Sequence, residues 1–102
     1  MRITFERSGG FAGLVRSASL TSDDLSDTQR IELERLVEES SFFELPADLS
    51  GDRPVPDDFG YTITIERDGT SRTVTTTDTA APPSLRGLIA WLTATTRRKG
   101  PA

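Results

Sequence analysis

The chain has 102 residues, 34% of them apolar, a net charge of −4, and neither cysteine nor histidine. That length and apolar content suit one compact domain whose modest core is held without disulfides. The missing thiols and imidazoles exclude thiolate zinc sites, thiol catalysis and Ser-His-Asp chemistry, and a negative balance without a basic stripe works against binding a phosphate backbone.

From Met1 to Arg7, Ile3 and Phe5 alternate with Arg2, Thr4 and Glu6, the period of a half-buried strand. Ser8-Gly9-Gly10 supplies turn chemistry, because glycine accepts the positive φ angles of hairpin turns. A second strand is expected from about Gly13 to Leu20. There Leu14 and Val15 are neighbours, so either a bulge or cover on both faces is needed.

Ser26 and Gln29 have capping-box spacing and predict a helix start. Leu33, Leu36, Val37 and Ser40 share one face of that helix, charged residues cover the rest, and Ile31 falls off the stripe. Phe42, Phe43 and Leu45 extend the apolar contact up to Pro46. Ala47 to Asp58 has no usable period and reads as an unusually long irregular connection, a kind of segment that often carries function. Tyr61, Ile63 and Ile65 then alternate with Thr62, Thr64 and Glu66. Asp68-Gly69 gives a hairpin turn, and Ser71 to Asp78 returns as a threonine-rich strand.

After Pro82-Pro83, Leu85, Leu88, Ile89 and Leu92 fall at helical spacing, with Arg97, Arg98 and Lys99 suited to the C-terminal dipole. The expected fold is therefore α+β: a four-stranded, mainly antiparallel sheet in ββαββα order with two helices on one face. One domain over residues 1–97 and a frayed tail over 98–102 are expected. If each element reverses the last, the Ser8 to Phe11 turn, the Ala47 to Asp58 loop and the Thr79 to Pro83 linker share one end of the molecule. That end is the expected place for a partner.

Arg2 to Gly13, with its strand-Gly-Gly-Phe-Ala-Gly run, Phe42-Phe43-Glu44-Leu45-Pro46, Asp58 to Ile65 and the Leu85 to Leu92 helix together resemble the emfourin family. That family includes the proteinaceous inhibitor of protealysin, a bacterial metalloprotease of the thermolysin type. The resemblance spans nearly the whole chain. It implies a cytoplasmic bacterial protein that binds the active-site region of a thermolysin-like metalloprotease, carries no metal of its own and is not an enzyme.

The residues themselves place the contact at Gly9, Gly10, Phe11, Asp52, Asp57 and Asp58. An aromatic after two glycines does not easily reach its own hairpin's core, so Phe11 either fills an apolar pocket of the partner or folds back over the sheet end. Asp48, Asp52, Asp57 and Asp58 either offer an oxygen to the partner's zinc or simply solvate the loop; their spacing is not that of a calcium site. Asp23-Asp24 and Asp57-Asp58 also read as paired acids for glycoside hydrolysis, whose set separation is not encoded in the sequence; the missing His and Cys and the small two-layer domain, in which no deep pocket is expected, count against an enzyme. Gly9-Gly10 reads as turn geometry before it reads as an anion nest.

No cofactor, nucleic acid or membrane is expected, and a cytoplasmic monomer is the default. The alternative function is a non-inhibitory interaction or assembly module. It would use the face formed by Thr62, Thr64, Thr73, Thr75 and Thr77, or an exposed edge strand.

Overall fold

A computed structural model describes residues 1–9, 14–49 and 59–98. Strands β1 (Arg2–Gly9) and β2 (Leu14–Thr21) pair antiparallel, helix α1 covers Asp27–Ser40, and strand β3 is the two-residue Asp48–Leu49. Strands β4 (Phe59–Arg67) and β5 (Thr70–Thr77) form the second hairpin, and helix α2 covers Pro83–Arg98. The strands lie in the order β2-β1-β4-β5-β3.

The sheet is thus five-stranded and mixed, where the sequence predicts four strands. The added strand is β3, which runs parallel to β5. It is held by the Thr75 N–H donating to the Ala47 carbonyl at 2.8 Å and by the Thr76 hydroxyl donating to the Leu49 carbonyl at 3.1 Å. Two residues carry no period of their own, so only this long-range pairing makes them a strand. The β1–β2 register runs unbroken from Arg2↔Thr21 to Gly9↔Leu14, so the adjacent Leu14 and Val15 are accommodated without a bulge.

Opposed residues in an antiparallel pair share a face. The inner face accordingly gathers Ile3, Phe5, Leu20, Tyr61, Ile63, Ile65 and Val74, all buried against the helices. Helix α2 contributes the four residues its spacing predicts, Leu85, Leu88, Ile89 and Leu92. Helix α1 contributes Leu33 and Val37 fully and Leu36 in part, while Ile31 stays 65% exposed, as its position off the stripe requires.

Phe42 is completely enclosed in a 3₁₀ turn after α1 and meets Phe43 edge-on at 5.9 Å. Arg72 projects inward from β5 and donates through Nη2 to the Leu45 carbonyl, tying that turn to the sheet. The outer face carries Thr4, Glu6, Ser19, Thr62, Thr64, Thr73 and Thr75, all exposed or half-buried.

Local signals set the element ends. The Ser26 hydroxyl accepts from the Gln29 N–H at 3.2 Å while the Gln29 side chain accepts from the Ser26 N–H at 3.0 Å, completing the capping box. Asp68 (φ 52°) and Gly69 (φ 80°) both take positive φ, as a two-residue type I′ hairpin turn demands. Ser26→Ala removes one half of the reciprocal cap and is expected to lower stability by about 1 kcal/mol, read as a lower urea midpoint at unchanged slope.

Candidate functional site

Three chain connections leave the sheet at one end. Gly9 closes β1 opposite both Leu14 and Phe59. At the same end β5 finishes with Thr77 opposite Gly60, and the Asp78 N–H donates to the Phe59 carbonyl at 3.1 Å. Strand β3, parallel to β5, points its Leu49 terminus the same way. Segments 10–13, 50–58 and 78–82 therefore all start from this end, as alternating chain directions imply.

Of the six residues expected to touch a partner, Gly9 is described. Its φ of 109° explains why glycine is needed where the strand enters the connection. Gly10, Phe11, Asp52, Asp57 and Asp58 lie outside the described residues.

The base beneath these connections is firmly tied. The Arg7 guanidinium sits over the Phe59 ring at 4.5 Å, and Phe5 stacks on Tyr61 at 5.8 Å with the planes 13° apart. A cation over an aromatic face, and offset aromatic stacking, each add about 0.5–1.5 kcal/mol beyond simple burial. The Tyr61 hydroxyl donates to Asp78 Oδ1 at 2.6 Å. Arg86 reaches back from α2 to donate to the carbonyls of Ala81 (3.0 Å) and Thr79 (3.3 Å), pinning the β5–α2 connection.

Beside this base runs an open groove of about 720 Å³, walled by Tyr61, Asp78, Thr79, Arg86, Ile89 and Ala90. Tyrosine and arginine are enriched at protein interfaces, but here Tyr61 is buried and bonded to Asp78, and Arg86 is bonded to backbone carbonyls of the β5–α2 connection.

The other carboxylates singled out in the sequence divide differently. Asp24 accepts from the Thr21 hydroxyl at 2.9 Å in a 3₁₀ turn at the far end of β2. The eight residues of β2 place that turn about 25 Å from the Gly9 end. Asp23-Asp24 thus belongs to a turn on the opposite side of the molecule. Among the described residues no three metal-binding side chains come together. Asp48 lies in β3 at the edge of the sheet.

The threonine set occupies the outer face as the alternation predicts, with Thr62 opposite Thr75 and Thr64 hydrogen-bonded to Thr73 at 2.9 Å between hydroxyls. No helix among the described residues is long and apolar enough to cross a membrane.

Sequence reasoning missed the Arg7–Phe59 and Tyr61–Asp78 pairs. Each joins positions far apart in the chain, and only the β1–β4 and β4–β5 registers bring them together.

Compared with known proteins, the chain matches a family model described as Emfourin over residues 5–93. No curated protein and no solved structure matches it.

Proposed function

The chain belongs to the emfourin family, and we propose on that premise that it inhibits a thermolysin-like metalloprotease by seating the Gly9 end of its sheet in the enzyme's cleft. The observation that carries this reading is the convergence of three connections on one tied base. Phe11 is the anchor, presented by Gly9 and Gly10 toward an apolar specificity pocket. Asp52, Asp57 and Asp58, in the second connection, are the further partner contacts.

A substrate must lie extended across a protease cleft, whereas residues 10–13 span a closed pair, Gly9 opposite Leu14. The Phe11 segment occupies the cleft without offering the cleavable, correctly oriented peptide bond that a substrate brings. The zinc belongs to the protease; the inhibitor brings no metal and does no chemistry, and it works in the cytoplasm.

The test is a titration of a panel of thermolysin-like proteases with the purified protein. Activity of the target enzyme should fall in proportion to inhibitor added and vanish near one equivalent. Full activity across the panel at large molar excess would rule the reading out.

A further inference from the structure

The two edges of the sheet are finished differently. On one side β3 pairs with β5, and Arg72 binds the Leu45 carbonyl, so that edge ends in a strand of only two residues. On the other side β2 is an eight-residue strand with regular register and no proline, and Arg16 is its only charged residue. Natural sheets blunt such edges with short strands, bulges, prolines or charges. Among the described residues, one edge is blunted and the other is not.

Which backbone groups the open edge offers follows from the register. The Ser22 N–H donates to the Met1 carbonyl at 2.9 Å, one step beyond Arg2↔Thr21. In an antiparallel ladder, bonded pairs alternate. Leu20, Ala18, Arg16 and Leu14 therefore aim their N–H and C=O groups at β1, and Thr21, Ser19, Ser17 and Val15 aim theirs away from the sheet.

We propose that β2 is a self-association edge, pairing antiparallel with β2 of a second copy about a twofold axis at Ala18. In that register Val15 meets Thr21 and Ser17 meets Ser19 of the second copy, so all four outward-facing residues on each side are bonded. Arg16 falls across from Leu20, so no like charges oppose each other. The small, exposed side chains of Ser17 and Ser19 leave the approach of a second backbone unobstructed on the outer face.

Both helical layers then lie on one side of a continuous ten-stranded sheet. The two Gly9 ends point in opposite directions, which leaves each free for its own partner. A single strand pair buries less than the ~800 Å² per partner of a standard interface, so the dimer is reversible and concentration-dependent.

Sedimentation velocity between about 10 μM and about 1 mM, a range that brackets weak association, tests this. The unaltered protein should shift from monomer toward dimer across the range. Ser17→Lys with Ser19→Lys puts like charges opposite each other and should give monomer throughout. Ser17→Lys with Ser19→Glu puts unlike charges opposite each other and should restore or tighten the dimer, by about tenfold. Ser19→Pro deletes an N–H that β1 does not use and should also give monomer, with circular dichroism and melting temperature near those of the parent.

A parent that stays monomeric to 1 mM overturns the proposal, as do two double variants that associate alike. The edge variants should leave protease inhibition unchanged. If they weaken inhibition while the parent remains monomeric, the edge receives a strand of the protease and not a second copy.

Discussion

Phe11→Ala is expected to weaken protease inhibition by at least about 30-fold while leaving the far-ultraviolet spectrum and the melting temperature of the protein unchanged. The magnitude is that of a buried aromatic anchor at a protein interface, about 2 kcal/mol or more. The fold should survive because the strands on either side of the substitution are fixed independently of it. Gly9 is paired with both Leu14 and Phe59, and Arg7 packs over Phe59.

A competition assay against a small-peptide substrate gives the inhibition constant directly. If potency is unchanged, the contact moves to residues 50–58, and the Asp52, Asp57 and Asp58 carboxylates become the next substitutions to make. If potency and melting temperature fall together, Phe11 packs on its own sheet.

The largest effect on stability is expected from Phe42→Ala. The ring is 1% exposed, contacts Phe43 edge-on, and closes the core below the 3₁₀ turn after α1. Truncating a buried phenylalanine removes its transfer free energy and leaves a cavity, a loss of about 3–5 kcal/mol. For a domain whose total stability is of the order of 5–15 kcal/mol, this is a fall of some 15–30 °C in melting temperature.

Ile31→Ala, on the helix that precedes the turn, is the matched control. Its side chain is 65% exposed, so its loss should change stability by no more than about 0.5 kcal/mol. A urea series on both variants checks the contrast. A large effect at Ile31 would mean that the outer surface of α1 is covered in solution.

Periodicity made the elements legible. The alternation of Ile3 and Phe5, the i, i+3, i+4, i+7 run from Leu85 to Leu92 and the Ser26–Gln29 cap are local patterns, and each lies where its pattern places it. The one-ended arrangement of the connections was legible too, because it follows from alternating chain direction alone.

Long-range pairing was not. Strand β3 exists because Thr75 and Thr76 bind the carbonyls of Ala47 and Leu49. Thr76 itself is fully buried in a strand that reads as wet on composition, because its hydroxyl spends its hydrogen bond on that same pairing. Arg72 turns inward for a similar reason, its guanidinium finding a carbonyl in a turn 27 positions earlier. At the candidate site, Phe11 and the aspartates stand out as residue types, but the Arg7–Phe59 and Tyr61–Asp78 pairs depend on registers that no short window contains.

The position of β1 between β2 and β4 also governs how the protein is made. Its hydrogen bonds to β2 close over four residues, and a hairpin of that kind forms in microseconds. Its pairing with β4 sets position 9 opposite position 59 and position 2 opposite position 66. Closing so long a loop must precede the reward of burying Ile3 and Phe5 against Ile63 and Ile65, which slows folding relative to a helical bundle of equal size. On a ribosome adding about 5–20 residues per second, the hairpin waits roughly 2–9 s for its inner neighbour. Until β4 emerges, the nascent hairpin has two open edges, so the chain is most exposed to mispairing during synthesis, and the docking of β4 closes the β1 edge.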